Sequence, residues 1–291
     1  MTTLKIVITR HPLLSYSALV FAISWGGILV VVGRGESSAN GEQFERMFLF
    51  MYLAMLAGPA IAGILLTGLV HGRTGLRDFA YRLLKWRVGA RWYAVALVTA
   101  PLAITMVLLA LLQVSPDFLH RLYTSEDKAF LVQFSVIAGL LVGIFEELGW
   151  TGFAVNEMLR RGNNVLRTGL VVGILFAAWD FLVVFWMTDA TSTAGALPLI
   201  IFLPVTLFTW LPTYRVLMVW VYDRTQSLFV AILMHTSLVA AWTMLTPLAI
   251  TGMPLVTYYL AVTAAFWVVI AAIAATNGWH LSRQPLRGQA D

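Results

Sequence analysis

The chain has 291 residues, 60% hydrophobic and 11% charged, with a formal charge of +5. Ordinary soluble domains carry about 25% charged residues, so the composition excludes that class and points to a polytopic membrane protein. Cysteine is absent, which excludes disulfides, thiolate metal sites and cysteine nucleophiles.

A bilayer core is crossed by about 20 apolar residues. Read from the N-terminus, Lys5 and Arg10 precede an apolar stretch at 13–33. It is longer than the roughly 7–15 residues of a signal-peptide core. No small-x-small cleavage site follows, so it reads as a retained first span. Further spans are predicted at 47–70, 93–114, 130–153, 166–187, 197–221, 228–246 and 254–276. The expected fold is all-α, a bundle of about eight transmembrane helices. It divides into N-terminal helices (1–129), a core (130–246) and a last helix with its tail (247–291).

Between the second and third spans lies a basic segment, 71–92 (HGRTGLRDFAYRLLKWRVGARW). Two readings apply to it: an amphipathic helix on anionic lipid, or a topology signal with a short interfacial helix. The second is favoured because topology alone accounts for the charges. With the N-terminus in the cytoplasm, fourteen basic residues fall inside: Lys5, Arg10, Arg73, Arg77, Arg82, Lys85, Arg87, Arg91, Arg160, Arg161, Arg167, Arg224, Arg283 and Arg287. Four fall outside: Arg34, Arg46, Arg121 and Lys128. Both termini are therefore expected in the cytoplasm, with the chain multi-pass in the plasma membrane and surrounded by lipid. The same bias explains the basic pI of 9.7 without a nucleic-acid partner.

Glu146 and Glu147 stand side by side in the fourth span. A carboxylate in hydrocarbon costs roughly 3 kcal/mol on insertion scales, so intramembrane charges are functional candidates. Asp180, Arg215 and His235 also lie within spans. At about 1.5 Å per residue, Glu146 lies about 21 Å from Arg160, Asp180 about 20 Å from Arg167, and His235 about 17 Å from Arg224. Arg215 lies about 14 Å from Arg224. The first three are thus expected at one level near mid-membrane. Arg215 is expected as a structural ion-pair partner of an acidic group. Counted to Arg160, the fourth span is too long to stand straight; it must tilt, kink or surface.

The H-E-x-x-H zinc signature is absent. Ser237 lies two residues from His235, on another helix face, so serine catalysis is disfavoured. Two carboxylates, an aspartate and a histidine fit the activation of water, with the histidine orienting water or donating to an oxyanion. The same groups, Glu146, Asp180 and His235, are also candidate ligands for a divalent metal such as zinc. The residues alone leave both open.

The run E-E-L-G-W-T-G-F from Glu146 resembles the first motif, E-E-x-x-x-R, of the CPBP family. These are intramembrane proteases related to the type II CAAX prenyl endopeptidase and to bacteriocin-processing or immunity (Abi) proteins. Gly173–Phe181 resembles the second motif, F-x-x-x-H, and Val219–His235 the approach to the third, H-x-x-x-N. The resemblance covers about 130–245, and 71–92 loosely. It implies that Glu146 and Glu147 activate water or bind metal, and that His235 polarises the scissile carbonyl. Asp180 stands at the second-motif histidine, where it can accept hydrogen bonds but, ionised, cannot donate them. Thr151 replaces the motif arginine, and Val239 replaces the asparagine. Arg215 is the candidate to supply the missing cation. Trp150, Thr151 and Trp179 are candidate substrate contacts, although packing and interface anchoring is the favoured role of Trp150, Trp179 and Trp186.

The function implied is an intramembrane endopeptidase acting on a peptide or membrane-protein substrate that arrives from the membrane or the cytoplasmic face. The alternative is a non-catalytic scaffold, immunity or regulatory factor. An ion or solute carrier ranks lower, because no pair of broken helices repeats in the two halves.

Overall fold

The computed structural model describes residues 3–32, 41–191, 193–248, 250–277 and 279–282. The expected end of the first span at Gly33 lies outside the described residues, as do Arg34, Arg283, Arg287 and the side chains of Lys5 and Arg46. In chain order the elements are α1 (Thr3–Arg10), α2 (Pro12–Val32), α3 (Gly41–Leu83), α4 (Ala90–Leu112), a 3₁₀ turn (Pro116–Phe118) and α5 (Arg121–Thr124). There follow α6 (Lys128–Gly149), a π-helical turn (Trp150–Val155), α7 (Asn156–Arg160), α8 (Val165–Thr191), α9 (Leu199–Phe208), α10 (Trp210–Thr225), α11 (Leu228–Leu245) and α12 (Gly252–Thr276). Among the described residues, eight helical stretches are long and apolar enough to cross a membrane.

Helix ends follow local chemistry. The Asp127 side chain accepts from Phe130 N at 2.8 Å and caps α6. Gln226, at φ 50°, ends α10 in the left-handed region, and Ser227 caps α11 through Val230 N at 3.2 Å. The long fourth span does bend its regular course: α6 passes into the π turn before α7 carries the chain to Arg160. Such π turns collect at functional sites; this one begins three residues after Glu147. The sixth span is broken between α9 and α10. Pro212 has no N–H for the carbonyl of Phe208, and its ring crowds that carbonyl, so the helix restarts around Thr209.

Prolines inside the other helices free carbonyls that neighbouring helices then satisfy. Pro59 leaves the Met55 carbonyl without its usual donor, and the Ser24 hydroxyl of α2 donates to it at 2.9 Å. Pro101 does the same to Leu97, whose carbonyl accepts from Ser237 of α11 at 2.8 Å. Ser237 is therefore a link between α4 and α11. The variant Ser237→Ala should lower stability by about 1 kcal/mol, the worth of one such bond, without altering any activity. A melting curve in detergent, beside an activity assay, checks this; loss of activity at unchanged stability would contradict it.

Tight packing surrounds the two glutamates. A Cβ on Gly143 of α6 would lie 2.7 Å from Thr236 Oγ1 and 2.9 Å from the Ile232 carbonyl, so α6 and α11 approach backbone to backbone there. A Cβ on Gly63 of α3 would lie 2.7 Å from Gly149 Cα. Against α6 thus pack α3 on one side and α11 on the other, with α8 and α10 paired alongside.

The basic segment 71–92 differs from expectation. Helix α3 runs on to Leu83, broken only at Gly72 (φ 65°, ψ −155°), a backbone shape suited to glycine. The extension is more than an interfacial helix: it buries Phe79 and Arg82 against the bundle. Arg82 bridges Asp78 at 3.0 Å, Tyr222 Oη at 2.7 Å and the Gly152 carbonyl at 3.2 Å. Tyr222 in turn donates to Asn156 Oδ1 at 3.2 Å. This polar layer closes the basic end of the bundle.

Candidate active site

Glu147 is fully buried, and three side chains converge on it. Arg215 Nη1 of α10 donates to Oε1 at 2.7 Å and to Oε2 at 2.9 Å. Thr151 Oγ1, one turn onward in its own helix, donates to Oε2. His235 Nδ1 of α11 lies 2.7 Å from Oε1. A carboxylate offers only acceptors, so the histidine nitrogen facing it carries the hydrogen. That fixes the ring and turns Nε2 away from Glu147. The Arg215 guanidinium also lies 4.7 Å from the centre of the Phe176 ring, and the same ring meets His235 edge-on at 5.9 Å.

The arginine that is absent at Thr151 is thus matched by Arg215, reaching the same glutamate from another helix. In low dielectric the pair has good geometry and additional hydrogen bonds, the conditions under which a buried ion pair offsets its desolvation.

Glu146 faces the other way. Its side chain is 8% exposed, and Oε2 accepts no hydrogen bond among the described residues. The nearest nitrogen is His235 Nε2 at 3.6 Å, beyond direct hydrogen-bond reach. Glu146, Asp180 and His235, from α6, α8 and α11, line one cavity of about 410 Å³. The remaining wall is mostly apolar: Met55 and Leu56 of α3, Phe176, Trp179 and Val183 of α8, Phe202 of α9, Leu238 and Trp242 of α11, Leu255 and Tyr259 of α12. The hydroxyl-bearing residues Tyr52, Thr188, Thr193, Thr206 and Thr243 interrupt it. None of these hydroxyl residues is marked by the motif pattern, because their relevance depends on how α3, α9 and α12 fold against the core. Phe176 was legible as the aromatic four residues before Asp180, but not its contact with both Arg215 and His235.

The expected substrate contacts divide. Trp179 lines the cavity; Trp150 and Thr151 do not. Trp150 is fully buried among Tyr16, Phe176 and Trp179, with ring centres 5.3, 5.4 and 5.8 Å away. Thr151 is occupied by Glu147. Both therefore support the site from behind. Val239, four residues after His235, lines the cavity with an apolar side chain where the family motif has asparagine.

A divalent metal does not fit the donors as they stand. Glu147 is taken up by Arg215, Thr151 and His235. Glu146, Asp180 and His235 share the cavity without closing into a cluster of three donors able to hold an ion, among the described residues. The expected zinc site on those three side chains is not met by this geometry.

What the arrangement offers chemically is a buried carboxylate, a histidine nitrogen beside it and an aspartate, on three residues that line one largely apolar chamber. That is a place to hold and deprotonate one water.

Residues 128–241 match the family described as Type II CAAX prenyl endopeptidase Rce1-like. The match begins at the first residue of α6 and ends within α11, so it contains Glu146, Glu147, Asp180, Arg215 and His235. No curated protein matches the chain.

Proposed function

We propose that the protein is an intramembrane endopeptidase in which Glu146 activates the attacking water. The observation carrying this reading is that Glu146, Asp180 and His235, from three helices, line one largely apolar cavity, while Glu147 is withdrawn from it. The two adjacent glutamates then have different tasks. Glu146 takes a proton from water held between its carboxylate and His235. The water oxygen attacks the scissile carbonyl carbon, and the carbonyl oxygen gains the negative charge. Breakage of the C–N bond returns the proton to the departing amine. His235, whose Nδ1 hydrogen is engaged by Glu147, orients the water by accepting from it at Nε2; it donates to the developing oxyanion only when Nε2 carries a proton as well. Glu147 holds His235 in place, and Arg215 holds Glu147. Asp180 assists from the facing helix by hydrogen bonding. No step is routed through a metal. The positive-inside rule supports a cytoplasmic basic end, and the membrane proposed is the plasma membrane.

The second reading, a non-catalytic scaffold, immunity or regulatory protein, draws on one observation: Glu147 is wholly engaged in holding α6, α10 and α11 together.

The test is cleavage of a peptide library by the purified chain in liposomes, with and without added zinc. New termini are read by mass spectrometry. The wild type is expected to cut. His235→Ala should lose cleavage, whereas Asp180→Ala should lose less than the roughly hundredfold that a proton-transferring group is worth. A folded wild type that cuts nothing under either condition leaves the non-catalytic reading. Loss in Asp180→Ala as deep as in His235→Ala would make Asp180 a proton carrier instead of an assistant.

A further inference from the structure

The cavity has a direction. On α8 its wall runs from Asp180 to Thr188, and on α11 from His235 to Thr243. Each is eight residues, or about 12 Å of helix. Both helices start at the basic end, beside Arg167 and Arg224, so both walls lead away from it. Leu255, in the first turn of α12, and Thr193, just after α8, lie at that far end. Toward the basic end, the described lining reaches only one turn past Asp180, to Phe176. Beyond that, Trp150 and Phe153 are buried, and the Arg82–Tyr222–Asn156 layer lies across the helices. Lys85 adds a bond to the Thr225 carbonyl at 2.9 Å, and Ser227 one to the Lys85 carbonyl at 2.6 Å.

We infer that the substrate is an apolar peptide segment that reaches Glu146 from the end of the bundle opposite the basic residues, along the wall formed by α8, α11 and α12. This rests on the peptidase reading for what happens at Glu146, but the route itself is set by the walls. With the basic end cytoplasmic, the substrate is presented from the extracytoplasmic side. The expectation from sequence is an approach from the membrane or the cytoplasmic face. A chamber of about 410 Å³ with a mostly apolar wall accepts a few bulky apolar side chains. A charged segment has no partner on that wall short of the carboxylates.

The absence of cysteine makes the route directly readable. Thr243→Cys and Thr188→Cys are made singly and exposed to a charged, membrane-impermeant thiol reagent in sealed vesicles of either orientation. Arg87→Cys, exposed in the basic segment, and Tyr123→Cys, 66% exposed at the other end, report which face is outward. Thr225→Cys, behind the closed layer, is the control. Both cavity cysteines are expected to react at least tenfold faster from the Tyr123 face than from the Arg87 face, with an apolar peptide slowing the reaction. Thr225→Cys should not react from the Tyr123 face. Faster or equal reaction of the cavity cysteines from the Arg87 face, or no reaction from either face, overturns the route. Labelling needs no catalysis, so a chain that labels as expected yet cuts nothing loses the peptidase reading and keeps the route.

Discussion

Replacing Arg215 with leucine should destabilise the protein by about 3–5 kcal/mol, the range for removing one partner of a buried ion pair. Leucine leaves the Glu147 carboxylate fully buried, with Thr151 and His235 as its remaining partners. The cost comes from the stranded charge more than from any lost attraction. The companion change Glu147→Gln removes that charge, so the double variant should recover most of the stability lost in Arg215→Leu. Melting of the four proteins in detergent gives the coupling directly. Normal stability and activity in Arg215→Leu would show that the Arg215–Glu147 pair holds neither the helices nor His235.

Glu146→Gln should behave in the opposite way. The side chain keeps its shape, and Oε2 accepts no hydrogen bond that the change could break. Removing a carboxylate from an apolar chamber relieves a cost instead of creating one. Stability should hold or rise, while hydrolysis falls by roughly 10²–10⁴, the worth of a positioned general base. The two neighbouring glutamates thus separate by readout: one variant set moves the melting curve, the other moves the rate.

Much of this was legible because intramembrane charge is expensive and therefore informative. Eight apolar runs of sufficient length give the spans, and the polar residues within them stand out. The matched depths of Glu146, Asp180 and His235 follow from helical rise alone, and all three line the cavity. The replacement of the motif arginine was visible at Thr151, and Arg215 was visible as its substitute. The division of labour within the glutamate pair was not. Adjacent residues point to different faces of a helix, but which face meets α10 and which meets the cavity depends on packing. The π turn after Gly149 changes the facing of the residues that follow it. The inward-packed extension of α3 was hidden for another reason. Charges in 71–92 signal topology, and nothing local marks Arg82 as the one that turns inward to Tyr222. The hydroxyl-lined far end of the cavity draws on α3, α9 and α12, which are brought together only by tertiary structure.

The most direct measurement is hydrolysis of a library peptide in ¹⁸O-water by the wild type and by Glu146→Gln, both reconstituted and shown to be folded. Attack by water puts the label on the new carboxyl group. The expected result is one ¹⁸O per cut by the wild type, and a rate lower by roughly 10²–10⁴ in the variant. Labelled product forming equally fast with Glu146→Gln would contradict the assignment of Glu146 as the group that activates water.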